Sequence, residues 1–246
     1  MIFKNLKINK IILKNRIVVS PMCQYSAKNG SPTNWHYKHL ENLSETGTSM
    51  VLLESTAVEK KGKISSSDLC LYNATHEKKF KKLIRFLKSK NDVKYGIQIS
   101  HSGRKGSSHK PWIKHNHPLP KKKSWKTLSA SAIPRDKGWP KPTEMTKQQI
   151  KSLIEKFKST AARANRINFD CLEVHMAHGY LLHQFFSPIS NKRKDEYGGN
   201  SVNRMRLLKE IAKEVRKVWP RHKILGARIT GTDHVKNGLL IKDAIL

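Results

Sequence analysis

The sequence is short of acid. Its 246 residues hold 18 Asp and Glu against 49 Lys and Arg, a formal charge of +31. It is also short of cysteine. Cys23, Cys70 and Cys171 are odd in number and show no pairing spacing, which argues against a disulfide framework and for a reducing compartment. Nowhere does the chain carry the roughly 18 uninterrupted apolar residues of a membrane span. The opening segment MIFKNLKINKIILKNR breaks its apolar residues with lysines, so it lacks the apolar run and cleavage site of a secretory signal. With 13 Gly and 10 Pro the chain is no low-complexity polymer. These absences point to a soluble, cytoplasmic protein with no membrane partner.

The excess of lysine invites a nucleic-acid reading, because basic side chains gain affinity by releasing counterions from phosphates. The distribution weakens that reading. Lysines fall in nearly every segment, and only Lys121, Lys122 and Lys123, beside Trp125, resemble a local patch. The expectation is a lysine-rich solvated surface with no specific nucleic-acid partner.

What is present is a regular alternation. Short apolar runs at 16–20, 49–54, 94–100, 169–175 and 224–230 read as buried strands. Helical stripes lie between them: Phe80, Leu83, Ile84 and Leu87; Ile150, Leu153, Ile154 and Phe157; Met205, Leu208, Ile211, Val215 and Val218. A weaker helix spans 35–44. Thr146 and Ser201 are the expected N-caps. The stretch 101–143 has no apolar period and reads as a long functional loop. Residues 238–246 look like the start of a further helix. With no repeat or linker, 1–246 reads as one domain. Strand–helix alternation implies an α/β fold with a parallel sheet, doubly wound or closed as a barrel.

Such folds place their chemistry at the C-terminal strand ends. There the five strands deliver Ser20, Pro21, Met22, Cys23, Gln24 and Tyr25; then Glu54 and Ser55; then Gln98, His101, Arg104 and Lys105; then Glu173, His175, His178 and Tyr180; then Arg228 and Thr230. Buried polar groups need partners, so a plain core would avoid these ends. His175 and His178 have a metal-like spacing, but the remaining ligands are missing, Glu173 having no evident third partner, and no metal is expected. Two imidazoles and a tyrosine hydroxyl suit the holding of an oxyanion and the donation of a proton. Arg228, inside a strand read as buried, requires an anion or several acceptors.

Four segments carry a resemblance: LKNRIVVSPMCQYS (13–26), LLESTAVEKKGKIS (52–65), IQISHSGRKG (97–106) and EVHMAHGYLLHQFFSPISNKRKDEYGGNSVNRMR (173–206). The chain resembles the old yellow enzyme family of flavin-dependent ene-reductases, in particular its bacterial NADPH dehydrogenase branch. The likeness runs from Phe3 to Leu246. It implies a (β/α)8 TIM barrel, of which about five strands are present, with FMN at the C-terminal mouth and NADPH or NADH as electron donor. By the same resemblance the backbone of Ser20, Pro21, Met22 and Cys23 lies beside the flavin, and the Cys23 thiol tunes its potential. Ser55 adds a backbone contact, and Gln98 and Arg228 meet the polar edge of the ring. His175 and His178 bind the carbonyl of an α,β-unsaturated substrate, Tyr25 and Lys105 line its pocket, and Tyr180 is the proton donor.

The sequence departs from the family in two ways. Val202 stands where a glutamate is usual, and the barrel strands that carry the FMN phosphate loops are absent. An N-terminal fragment or truncated product is therefore expected, with strands one and five as open edges. The competing readings are a flavin-free remnant of the same family and, on charge alone, a basic nucleic-acid-binding protein. The oligomeric state is open, a homo-oligomer included.

Overall fold

The computed structural model describes residues 1–245. Five parallel strands form one curled sheet in the order β3 (Val18–Val19), β4 (Met50–Ala57), β5 (Lys94–Ser100), β8 (Cys171–Met176) and β9 (Ile224–Ile229). An antiparallel hairpin, β1 (Leu6–Ile8) and β2 (Ile11–Leu13), precedes it. A second small pair, β6 (Leu128–Ser129) and β7 (Thr143–Glu144), lies within and just beyond the stretch read as a structureless loop. This is an incomplete α/β barrel with helices on the outer face.

The inner strands behave as their composition demands. All eight residues of β4 are buried, as are six of the seven in β5. Strands covered on both faces read as unbroken apolar runs, which is why these two were legible. Helix α2 (Ala74–Lys90) buries Phe80, Leu83, Ile84 and Leu87, the four residues of its stripe. Helix α3 (Lys147–Ile167) opens on Thr146, whose hydroxyl accepts from Gln149 N–H while Gln149 bonds back to Thr146 N–H. It ends on Asn168 in the left-handed conformation, φ 73°. One continuous core joins the sheet to α1 (Asn34–Ser44), α2, α3, α4 (Leu181–Phe186) and α5 (Ser201–Val218). A last short helix, α6, covers Ile241–Ile245. None of these helices is long and apolar enough to cross a membrane.

The edges differ from expectation. The strand expected at 16–20 is only Val18–Val19, and Ile17 and Val18 are exposed. β9 leaves Gly226, Ala227 and Ile229 exposed. Both have a neighbour on one side only among the described residues, so neither gains the second apolar cover that buries β4 and β5. The N-cap of α5 is Asn200, not Ser201: its side chain accepts from Asn203 N–H at 2.9 Å. Both residue types cap well, and the choice is made one residue earlier by extended backbone at Asn200.

One half-buried carboxylate ties the upper layer together. Glu59 accepts from His101 Nε2 at 3.0 Å and from Lys156 Nζ at 2.7 Å. Burial alone would raise its pKa, but these two partners outweigh burial and bring it down to about 2. A depressed carboxylate adds stability above its unfolded pKa and loses it as pH falls through the folded value. Wild type is therefore expected to exceed Glu59→Gln by about 1–2 kcal/mol at pH 6, solvent screening included. That gap should close between about pH 4.5 and 2. Urea unfolding of both proteins across that range checks it, and a gap independent of pH would remove Glu59 from this role.

Candidate functional site

The C-terminal ends of β4, β5, β8 and β9 meet at one mouth, and the last residues of these strands and the chain just after them supply the side chains. After β8 the backbone turns sharply, with His178 at φ 59° and Gly179 at φ 71°, and enters α4 at Tyr180. Glycine suits position 179 because the conformation is left-handed; a Cβ there would meet Lys105 Cδ only at ordinary contact distance, 3.4 Å. The turn gathers three rings: His175 lies 5.0 Å from His178 and 4.9 Å from Tyr180, both edge-on.

The protonation state of His175 follows from its neighbours. Its Nδ1 accepts from Ala177 N–H at 3.2 Å, so in the neutral ring the proton sits on Nε2. Burial, then the positive neighbours His178, Arg228 and Lys105, push its pKa down to about 3. His178, exposed at the rim, is lowered by burial of its ring and by the same two cations. Burial pushes the Tyr180 phenol, the Tyr25 phenol and the Cys23 thiol far up, with Asp68 and Glu54 adding to the effect on Cys23. At neutral pH the mouth thus presents a neutral imidazole N–H, two intact phenols and an intact thiol.

A second cluster lies one layer inward. Gln98 and Glu173 are register partners across β5 and β8, and His175 and Arg228 are partners across β8 and β9. Gln98 Nε2 donates to Glu173 Oε1 at 2.6 Å, and Arg228 Nε donates to the same oxygen at 2.9 Å. Glu173, weighed in the sequence only as a metal ligand, is therefore the anion that Arg228 pairs with. Arg228 is not fully buried as expected: its side chain is 33% exposed, because β9 is an edge.

The β3-to-α1 segment is held from below. Glu54, 5% exposed, accepts from Gln24 N–H at 3.0 Å and pairs with His36 at 3.2 Å. This fixes the residues around Cys23 and Tyr25. Ser20 and Met22 are exposed and line a separate small crevice against α1, with Pro21 half-buried between them. Ser55 sits at a register irregularity between Leu53 and Thr56, and its hydroxyl bonds that of Ser100. Such an irregularity re-aims a strand end. Lys105 Nζ donates to His178 O at 2.8 Å and stands 4.9 Å from the Tyr180 ring centre.

Sequence reasoning missed His183 and Asp233. His183 Nδ1 accepts from Gly179 N–H at 2.6 Å, and its Nε2 lies 2.8 Å from Asp233 Oδ1. Asp233 also accepts from Ser187 Oγ and Leu239 N–H. The pair clamps the turn that carries His178. Its signal was available, since Asp233 follows β9 in the way every other polar group follows its strand.

A parallel α/β sheet curled toward a barrel, with donors and a cation at its C-terminal mouth, defines the class of a TIM-barrel enzyme. Residues 1–246 match the model of the NADH:flavin oxidoreductase / NADH oxidase family. An NADPH dehydrogenase of Listeria innocua is 42% identical over 246 residues, covering 99% of this chain and 68% of its own length. Among solved structures, a morphinone reductase matches with a TM-score of 0.80 at 20% identity, over 93% of this chain and 61% of its own. A 2-naphthoyl-CoA reductase in complex with 2-naphthoyl-CoA matches with a TM-score of 0.87 at 25% identity, over 99% and 37%. The chain belongs to the NADH:flavin oxidoreductase / NADH oxidase family. It is an oxidoreductase by that membership, with FMN and a nicotinamide nucleotide as cofactors.

Proposed function

We propose that the protein reduces the carbon–carbon double bond of an α,β-unsaturated carbonyl compound. The observation that carries this reading is a neutral His175 whose Nε2–H has no hydrogen-bond partner among the described residues, with His178 and Tyr180 edge-on beside it. The donor set fits a flavin ring. Gln98 and Arg228 would hold its polar edge, and the backbone of Ser20 to Cys23, with Ser55, would lie along it. When bound, FMN would supply the hydride chemistry, taking it from NADPH or NADH and delivering it to the β-carbon.

The protein's own groups do the rest. His175 and His178 donate to the carbonyl oxygen and favour the form in which that oxygen carries negative charge. Donors fixed in advance of the reaction need no reorganisation when the charge develops. Tyr180, kept protonated by burial, stands beside His175 and supplies the proton to the α-carbon. Tyr25 and Lys105 bound the same space.

Phenols imitate the charged oxygen and give a direct test. His175→Ala with His178→Ala in the flavin-loaded protein is expected to weaken phenol binding by roughly 1.5–3 kcal/mol for each lost bond. The measurement is a titration followed in the visible flavin spectrum. Unchanged phenol affinity would take the histidines out of the substrate role. Oxidation of NADPH that 2-cyclohexenone does not accelerate would overturn the reaction itself.

A further inference from the structure

A cavity of about 140 Å³ adjoins the mouth, lined by Tyr25, Ile64, Lys105, His109, Arg135 and Tyr180 among others. Its charge is unbalanced. Lys105 and Arg135 both face it, Arg104 stands close behind, and none of the lining residues is acidic. Lys105 is bonded to a neutral carbonyl, that of His178. Arg104 likewise donates to two carbonyls, Ile133 O and Pro134 O. Arg135 makes no ion pair and no hydrogen bond among the described residues. It lies over the buried Trp139 ring, its guanidinium carbon 4.5 Å from the ring centre, and Asp136 beside it is exposed.

We propose that this cavity receives an anionic group, a carboxylate or a phosphate, on the molecule whose carbonyl His175 and His178 bind. The physical argument is one of partners. A half-buried guanidinium has lost part of its hydration and normally recovers it from a carboxylate or phosphate, whose two oxygens match its planar fork. Arg135 has the stacking surface that fixes its plane and lacks the anion. Burial, then Arg135 and Arg104, bring Lys105 down to about 8, which records the same uncompensated positive potential from the neighbouring residue. Tyr25 and Tyr180 are common to this cavity and the mouth, so one ligand can span both. The general +31 charge does not explain the arrangement, because surface lysines are hydrated and screened while these partly buried groups converge on one pocket.

This inference rests on the proposed substrate site, but its test needs neither flavin nor turnover. Benzoate, phenyl phosphate and benzamide are titrated into the 246-residue protein, and tryptophan fluorescence is followed, Trp112 packing on Tyr25 and Trp139 on Arg135. The better of the two anions is expected to bind at least ten-fold tighter than neutral benzamide, and which of them is better assigns the carboxylate or the phosphate. Arg135→Gln is expected to reduce that preference to two-fold or less. Lys137→Gln, the same charge change on an exposed neighbour, should leave it intact. Equal binding of all three probes, or equal losses in the two variants, would overturn the proposal. Flavin-loaded protein that keeps the anion preference but whose NADPH oxidation 2-cyclohexenone does not accelerate would sink the proposed reaction and leave this pocket standing.

Discussion

Arg193→Ala is expected to lower the unfolding free energy by about 3–5 kcal/mol. Arg193 is 7% exposed and uses its whole fork. Nη1 donates to Ala130 O at 3.0 Å and to Met145 O at 2.7 Å, while Nε and Nη2 grip both oxygens of Asp195. The two carbonyls flank the β6–β7 pair, so this one side chain rivets the long upper loop to the segment after α4. Truncation leaves buried acceptors without donors, which costs more than a bond is worth when made. Arg193→Lys should recover only part of the loss, because an ammonium cannot serve both carbonyls and a bidentate carboxylate. Urea unfolding should show a lower midpoint at unchanged slope. A loss below about 1 kcal/mol would mean that water replaces the fork and that the rivet is dispensable.

The second large effect concerns cofactor retention. A polypeptide of these 246 residues is expected to bind FMN weakly, although the groups proposed for its ring are in place. The cations at the mouth are engaged or lie elsewhere: Arg228 is on Glu173, and Lys105 is on His178 O. β9, the last strand of the sheet, is largely open to solvent. In the family it resembles, the phosphate is held by loops after later strands, and this chain spans 68% of the Listeria relative. Losing two charge-assisted bonds to a phosphate, each about 1.5–3 kcal/mol, raises the dissociation constant by roughly two to four powers of ten. The diffuse positive field attracts FMN only in a way that salt screens. Quenching of flavin fluorescence during titration measures the affinity. Submicromolar binding that is insensitive to salt would show that a phosphate site is rebuilt, for instance between two copies, and would defeat the expectation.

How much of this was readable beforehand depends on what each residue's environment is made of. The strand at 94–100 matches β5 residue for residue, because burial on both faces leaves an unbroken apolar signature. The expected 16–20 strand shrank to two residues, because an edge strand's burial depends on neighbours that its own sequence does not encode. The grouping of His175, His178 and Tyr180 was legible from one contiguous motif. The Glu173–Arg228 pair was not. Each residue was singled out, but pairing them needs the β8–β9 register, which sets Glu173 against Gly226 and His175 against Arg228. Arg135 escaped notice for a related reason. It sits in a stretch without period, and only the folded loop brings it to Tyr25 and Tyr180.

The β1–β2 hairpin turns on Asn9 at φ 55°, and its turn bonds the far end of the chain: Asn9 Nδ2 donates to Lys223 O, and Lys10 N–H to His222 O. Leu6, Ile8, Ile11 and Leu13 pack beneath the sheet with Met50, Leu52, Cys171 and Ile224. The hairpin therefore meets Met50 and Leu52 early in synthesis but reaches its last partners, Lys223 and Ile224, only some 214 positions later. At about 5–20 residues per second it waits roughly 10–40 s for them. During that wait an apolar, strand-forming stretch is exposed, the kind that seeds association between nascent chains. Lys4, Lys7, Lys10 and Lys14 punctuate it. Part of the excess charge thus acts during synthesis, as gatekeepers that keep the opening hairpin apart from its neighbours until residue 224 arrives to cover it.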